Sequence, residues 1–135
     1  MNEKVLALIQ YRLQQADDSI KEAAVLLKEG MSYRAVMNRL YYAMFYAVLA
    51  LLQEKQVGTS KHAGVISLFD KEFIKSGIFA KDLSMALHRA FELRQKGDYM
   101  ERAEVAKEDV EDILPKVLDF VSKIKTYLLG KGNVS

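Results

Sequence analysis

The chain has no cysteine, and it has only one proline and seven glycines among 135 residues. Without cysteine there can be no disulfide bonds and no thiolate metal sites, which fits a reducing compartment. So little proline and glycine leaves few residues for the many tight turns of an all-β protein, and long helices are favoured. An excess of charge is also missing, because the formal net charge is only +2. Any contact with phosphate must therefore depend on local clusters of basic residues.

Targeting and membrane-spanning patterns are missing as well. The first ten residues include Glu3 and Lys4 and lack the basic start, apolar middle and small-residue cleavage site of a signal peptide. The longest apolar run covers residues 40–52, whereas a membrane-spanning helix needs about 20 residues. We therefore expect a cytoplasmic protein that does not interact with a membrane, with this run forming a helix that is buried on most sides.

Apolar residues recur at the three- and four-residue spacing of packed helices along most of the chain. Pro115 lies inside the last helical segment and predicts a kink or a later start there. The two-residue alternation of strands is absent from the sequence. The spacing predicts five helices, at residues 3–29, 33–56, 60–75, 81–96 and 106–129. We therefore expect an all-α, up-and-down antiparallel bundle of four to five helices that forms one domain over residues 1–130, with a disordered tail at 131–135.

An arginine continues the apolar stripe of the fourth predicted helix. Arg94 follows the stripe at helical spacing, and Gly97 then predicts a break, with Asp98 and Tyr99 behind it. A guanidinium cannot lose its proton, so its burial is costly unless an anion lies beside it. That anion is either the Asp98 carboxylate, in a pair that only stabilises the helix end, or the phosphate of a ligand. The stripe comprises Leu83, Leu87 and Ala90.

Two further places combine positive charge with other polar groups. On the second helix, Arg39, Tyr42 and Tyr46 are three and seven residues apart and share a face. An arginine on this apolar helix needs a partner or a ligand, and the two are equally plausible. At the start of the third helix, Lys61 and His62 add positive charge where free backbone amides attract anions. An exposed helix cap is the alternative explanation for that pair.

Several chemistries are not expected. Only two histidines are present, they are not at ligand spacing, and cysteine is absent, so we expect no metal site. The sequence also lacks a Gly-x-Ser-x-Gly motif, a glycine-rich phosphate loop and a dinucleotide fingerprint. We therefore expect no cofactor. His88 falls off the apolar stripe of its helix and is expected to be exposed.

Three segments of the sequence together resemble the HEPN family, the small all-helical domains of prokaryotic toxin–antitoxin and defence systems. They are RAVMNRLYYAMFYAVLALL, SKHAGVISLFDKEFIKSGIF and LHRAFELRQKGDYM. The resemblance covers nearly the whole chain and depends on the combination of these motifs, since each alone would be weak. It implies a bundle of four to five helices, a homodimer, and a partner protein, a minimal nucleotidyltransferase encoded beside it.

Many members of this family are metal-independent ribonucleases, in which an arginine is followed by a histidine after four to six residues. In such a site the histidine exchanges protons with the ribose hydroxyl and the leaving oxygen, and the arginine stabilises the phosphorane charge. Arg94 matches the arginine, but the histidine would fall at Tyr99, Met100 or Glu101, and none of these is histidine. His62 could replace it only if the fold brings it near Arg94. Tyr99 does not match the tyrosine that accepts a nucleotide in some relatives.

The leading hypothesis is therefore an interaction module that pairs with a minimal nucleotidyltransferase, as in a toxin–antitoxin pair, and holds a nucleotide or RNA phosphate. One alternative is a metal-independent RNA endonuclease in which Arg94 and His62 are the catalytic residues. Another alternative is a purely structural bundle without a ligand. The expected ligand-binding residues are Arg39, Tyr42, Lys61, His62, Arg94, Asp98 and Tyr99.

Overall fold

The structure is a computed structural model that describes residues 2–59, 61–99 and 104–131, except for the side chains of residues 97–99. Within these ranges the chain forms five α-helices and one π-helical turn, and no strand. The prediction of an all-α bundle is confirmed. The helices are α1 (Glu3–Lys28), α2 (Tyr33–Lys55), α3 (His62–Phe69), α4 (Lys81–Tyr99) and α5 (Lys107–Gly130), and the π-helical turn (Asp70–Ile74) directly follows α3.

Helix α2 is the centre of the bundle. It packs against all four other helices, and its buried residues lie on all sides of the helix. Among the described helices, α2 is the one long and apolar enough to cross a membrane, but 67% of that apolar window is buried inside the bundle. A helix with neighbours on most sides is apolar on most sides, so its position in the core accounts for its composition.

Two ion pairs show how neighbouring helices run. Glu22, late in α1, lies 3.4 Å from Arg39 near the start of α2. Arg89 in α4 lies 3.6 Å from Asp109 in the first turn of α5. The first pair joins the later part of α1 to the early part of α2, so these two helices are antiparallel, and the second pair shows that the middle of α4 packs beside the first turn of α5. This arrangement agrees with the up-and-down bundle that the short connections predict.

The π-helical turn widens the third helical segment. The amide of Lys75 donates to the carbonyl of Asp70 at 2.8 Å, a bond that spans five residues instead of four. Phe69 and Phe73 both have no exposed surface, and their rings stack with centroids 6.1 Å apart. The sequence predicts one α-helix from residue 60 to 75, whereas α3 ends at Phe69 and the turn continues to Ile74. Ser60, at which the predicted helix begins, lies outside the described residues.

Two predicted interruptions of helices are wrong. Helix α4 continues through Gly97 to Tyr99, because one glycine costs only about 1 kcal/mol in a helix and does not by itself end one. Helix α5 starts at Lys107 and contains Pro115, so the later start is wrong. Pro115 and Glu111 are both exposed, so water can bind the Glu111 carbonyl that the missing proline N–H leaves without its helical bond. The predicted tail falls mainly on residues 132–135, which are outside the described ranges.

Candidate functional site

Aromatic rings and basic side chains from three helices meet at one place in the bundle. Helix α2 contributes an arginine and two tyrosines, α3 contributes a histidine in its first turn, and α4 contributes an arginine. Their mutual contacts join residues that are up to 53 positions apart in the sequence, from Tyr41 to Arg94. We call this group the aromatic–basic cluster, and it comprises Arg39, Tyr41, Tyr42, His62 and Arg94.

Arg94 lies against the two adjacent tyrosines of α2. Its guanidinium carbon is 5.5 Å from the ring centroid of Tyr41 and 5.5 Å from that of Tyr42. Its Nη2 atom donates a hydrogen bond to the Tyr42 hydroxyl at 3.4 Å. Cation–π contacts stabilise a guanidinium without neutralising its charge. The stripe that leads to Arg94 is buried as predicted, with Leu83 3% exposed and Leu87 not exposed at all.

His62, the first residue of α3, contacts the same two tyrosines. Its Nδ1 atom is 2.9 Å from the Tyr41 hydroxyl, and its ring lies edge-on to Tyr42 with centroids 5.8 Å apart. The ring also stacks on Phe45, at 4.1 Å between centroids and 13° between planes. Burial, and then the positive charge of Arg94, lower the pKa of His62. His62 and Arg94 thus contact the same two tyrosines, a proximity that the sequence leaves open.

Tyr41 is the buried centre of the cluster, with no exposed surface. Burial raises the pKa of the Tyr41 phenol, and the charge of Tyr42 adds to this effect, although Arg94 acts in the opposite direction. Desolvation disfavours a phenolate in the interior. Tyr41 is consequently a neutral phenol over the whole physiological range of pH.

Arg39 packs against the ring of Tyr42. Its guanidinium carbon is 5.0 Å from the Tyr42 ring centroid, and its Nε and Nη2 atoms donate to Asn38 Oδ1 at 3.1 and 2.8 Å. Its Nη1 atom lies 3.4 Å from Glu22, whose side chain is 54% exposed. This carboxylate is the protein partner that the sequence left open as one possibility for Arg39. A surface ion pair contributes about 0–1 kcal/mol, so a phosphate group can compete with Glu22 for Arg39.

A groove beside the cluster adds a second surface arginine. It has a volume of about 390 Å³ and lies where α1 meets the first turns of α2. Arg34 and Arg39 both line it, together with Asn38. The positive surface therefore extends from the cluster along α2 toward its N-terminus. Arg34 was not predicted as a site residue, although its position four residues before Asn38 on α2 places the two on one face.

The other predicted site residues have different outcomes. Tyr46 lies next to Tyr42, with ring centroids 5.7 Å apart, so the predicted shared face of α2 is confirmed. Lys61 is exposed just before α3, and its amide donates to Thr59 Oγ1 at 3.4 Å. The backbone of Asp98 and Tyr99 belongs to the last turn of α4, but their side chains lie outside the described residues. An Arg94–Asp98 ion pair and a role for Tyr99 therefore stay predictions.

The second histidine lies elsewhere on the surface. His88 is exposed, as predicted, and its Nε2 atom is 2.7 Å from Asp70 Oδ2. Ser84 donates to the other oxygen of the same carboxylate at 2.6 Å. A groove of about 550 Å³ between α4 and α5 includes His88 and Arg89 in its lining. The residues that line this groove include no member of the aromatic–basic cluster.

Tyr41 and Phe45 are site residues that the sequence analysis missed. Both belong to the apolar run of α2 and look like ordinary core positions by their spacing. One signal was available for Tyr41, because a buried tyrosine hydroxyl nearly always has a hydrogen-bond partner. A polar residue that faces the most apolar part of α2 was therefore to be expected, and His62 is that residue.

The Thr59 side chain packs closely against the backbone of Gly64 in the first turn of α3. A Cβ atom added at Gly64 would lie 2.7 Å from Thr59 Cγ2 and 3.1 Å from Thr59 Oγ1. Contacts shorter than the van der Waals distance are not tolerated by packed atoms. The connection before α3 therefore packs directly on the backbone of the first helical turn, which carries His62.

Comparison with known proteins identifies the family. The HEPN domain family matches residues 9–127 of the chain. A "UPF0332 protein" of Thermotoga maritima is 42% identical over 125 residues, which cover 93% of both chains. "Putative toxin MJ0142" of Methanocaldococcus jannaschii is 38% identical over 120 residues, or 89% of this chain and 81% of the relative. "Putative toxin MJ0605" of the same organism is 31% identical and covers 95% of this chain and 94% of the relative. The chain belongs to the HEPN domain family.

Proposed function

We propose that this HEPN protein is the toxin-like member of a toxin–antitoxin pair and that its aromatic–basic cluster binds a phosphate group of a nucleotide or RNA. One observation carries the binding proposal. Two arginines from different helices, Arg39 and Arg94, lie 5.0 and 5.5 Å from the centroid of one tyrosine ring, Tyr42. The names of two relatives, which describe toxins, support the class of protein.

The chemistry of the cluster suits a phosphate with an attached base. Guanidinium groups bind phosphate oxygens through two parallel N–H groups, and they also stack on aromatic faces. In a protein whose formal net charge is only +2, two arginines lie at one tyrosine ring and place positive charge beside an aromatic surface. Partly exposed rings such as Tyr42 and Tyr46 offer surfaces on which a base can stack.

The proposal also concerns the partner protein and the oligomeric state. We infer a minimal nucleotidyltransferase as the partner, and a homodimer, because the family resemblance implies both. A cytoplasmic location belongs to the same proposal. Co-expression of the chain with a neighbouring nucleotidyltransferase, followed by size-exclusion chromatography with light scattering, tests the assembly. Elution of this chain as a monomer that does not bind the nucleotidyltransferase contradicts this part of the proposal.

ATP and a short single-stranded RNA are suitable probes for the binding site. We expect both to bind the wild-type protein, and Arg94→Ala to weaken binding at least tenfold. Arg89→Ala is the matched control, because Arg89 belongs to the same helix but pairs with Asp109 and Glu92. Equal affinity of wild type and Arg94→Ala, or no binding by either, overturns the proposed phosphate site.

A metal-independent RNA endonuclease is a second candidate function, and the proximity of His62 to Arg94 favours it. Both residues contact Tyr41 and Tyr42. An arginine that stabilises a phosphorane and a histidine that transfers protons are sufficient for RNA cleavage without metal. This function requires cleavage in the presence of EDTA that leaves 2′,3′-cyclic phosphate ends. If Arg94→Ala cleaves RNA as fast as wild type, a contaminating nuclease is responsible.

A further inference from the structure

We propose that Tyr41 is a positioning residue that fixes His62 in the tautomer protonated on Nε2, so that His62 meets a phosphate as a hydrogen-bond donor. The part of this inference that concerns the phosphate rests on the proposed function. The tautomer itself is a property of the protein without a ligand, and it can be tested separately.

The direction of one hydrogen bond carries the inference. The Tyr41 side chain has no exposed surface, so its hydroxyl proton needs an acceptor inside the protein. His62 Nδ1 lies 2.9 Å from the hydroxyl oxygen. Arg94 also lies against the Tyr41 ring, but a guanidinium has only donors and cannot accept the proton. The hydroxyl of Tyr41 therefore donates to His62 Nδ1.

An acceptor at Nδ1 determines where the proton of a neutral imidazole is. Neutral histidine carries one proton on its two nitrogens, so Nδ1 as an acceptor places that proton on Nε2. The groups that face His62 are the phenols of Tyr41 and Tyr42 and the cation Arg94, with Lys61 as its neighbour in sequence. Among the residues that the structure describes, these groups include no anion that would stabilise the doubly protonated ring. Burial, and then Arg94, also lower the pKa of His62, which keeps the ring neutral.

Ring packing holds this orientation. The imidazole stacks almost parallel on Phe45, at 4.1 Å and 13°, and lies edge-on to Tyr42. Rotation of the ring by 180° would move Nδ1 away from the Tyr41 hydroxyl and leave a buried O–H without its acceptor. Such a loss is costly. Nε2 is therefore held on the side of the ring that is opposite to the bond with Tyr41.

The tautomer distinguishes between the two candidate functions. A general base needs a free electron pair on the nitrogen that faces the substrate. Nε2 with its proton has no such pair, but it can donate a hydrogen bond to a phosphate oxygen beside the arginines. The positioning by Tyr41 therefore supports binding of a phosphate and opposes proton abstraction from a ribose hydroxyl.

The first experiment uses the unliganded protein labelled with ¹⁵N. Long-range ¹H–¹⁵N correlation spectra at neutral pH show which imidazole nitrogen carries the proton, and His88→Gln assigns the His62 signals. We expect a protonated Nε2 and an unprotonated Nδ1 in wild type, and a mixture of tautomers in Tyr41→Phe, which keeps the ring and removes the hydroxyl. Tyr42→Phe is the control and should leave the His62 tautomer unchanged. A proton on Nδ1 in wild type, which needs no variant to detect, overturns the inference, and so does an unchanged spectrum of Tyr41→Phe.

The second experiment measures ATP binding. We expect Tyr41→Phe to weaken ATP binding about threefold to tenfold, as the loss of one oriented hydrogen bond does. If wild type binds ATP and Tyr41→Phe binds it equally well, the donor role of His62 is wrong. If the spectra show the expected tautomers but wild type does not bind ATP, the proposed function fails whereas the positioning by Tyr41 stands.

Discussion

Arg94 and His62, from different helices, share Tyr41 as a neighbour. The guanidinium carbon of Arg94 lies 5.5 Å from the Tyr41 ring centroid, and His62 Nδ1 lies 2.9 Å from the Tyr41 hydroxyl. One buried tyrosine thus couples a permanent cation to a titratable ring. A change at either residue should therefore be measurable at the other.

Removal of the Arg94 charge should raise the pKa of His62. Burial is the larger cause of the lowered pKa and the charge of Arg94 is the smaller one, so Arg94→Ala should shift the pKa upward without restoring its ordinary value. An NMR titration of the His62 ring protons measures the change. Arg89→Ala, on the same helix, should leave the titration as it is in wild type. A His62 pKa that does not rise in Arg94→Ala would contradict the proximity of the two side chains.

Protonation of His62 should make the protein less stable at mildly acidic pH. The pKa of His62 is lowered in the folded protein, whereas in the unfolded chain it is about 6.5. Above pH 6.5 the ring is neutral in both states and has no effect on the free energy of unfolding. As the pH falls below 6.5, the unfolded chain binds the proton first, so unfolding becomes more favourable until the folded protein is protonated as well.

Thermal unfolding between pH 7 and pH 5 measures this effect. We expect the wild-type melting temperature to fall in this interval and His62→Gln to show a smaller fall. His88→Gln, which removes the other histidine, is the control and should keep the contribution of His62. If His62→Gln and wild type lose the same stability over this interval, His62 is not responsible for the loss.

Removal of the carboxylate beside Arg39 should strengthen anion binding. Glu22 is 54% exposed and lies 3.4 Å from Arg39, so Glu22→Gln should change the free energy of unfolding by less than about 1 kcal/mol. The same change removes a competitor for the guanidinium, and we expect the affinity for ATP to rise at low salt. Asp18→Asn, one turn earlier on α1 and bonded to Gln14, is the control. Weaker ATP binding by Glu22→Gln would show that Glu22 assists the ligand instead of competing with it.

Gly64→Ala should reveal the tight packing before α3. The new methyl group would lie 2.7 Å from Thr59 Cγ2, and such overpacking costs about 1–3 kcal/mol. Alanine is better than glycine in a helix by about 1 kcal/mol, so the net loss in wild type should be about 2 kcal/mol or less. In a Thr59→Ala background the crowding is relieved and Gly64→Ala should stabilise. A double-mutant cycle by urea unfolding gives the coupling energy, and a value near zero would contradict the close contact.

The sequence was sufficient for the helices and for most of the core. Apolar residues recur at helical spacing in α5, and they are buried, as Val110, Ile113 and Val117 show, because such a run of apolar residues has one obvious way to pack. Helix α1 shows the limit of this method. Leu27 lies four residues after the buried Ala23 and so continues the apolar spacing of α1, but it is 39% exposed near the end of the helix.

The candidate site was predicted only in part, for a physical reason. Periodicity shows which residues share a face of one helix, and it placed Arg39 with Tyr42 correctly. It does not show which faces of different helices meet, so the approach of His62 to Arg94 needed the fold. The same limit applies to Tyr41. Its hydroxyl indicates that a hydrogen-bond partner exists, but only the fold shows that this partner is His62 on α3.

The π-helical turn sets the register between the two ends of the third helical segment. Its bond from Lys75 to the Asp70 carbonyl spans one residue more than an α-helical bond. If the same residues formed a continuous α-helix instead, the two ends of the segment would be displaced by about one residue relative to each other, and each residue advances an α-helix by about 100°. His62 would then rotate away from Tyr41 while Phe73 kept its place in the core. The helical geometry of a turn that begins eight residues after His62 thus determines where its ring lies, although no residue of the turn belongs to the cluster.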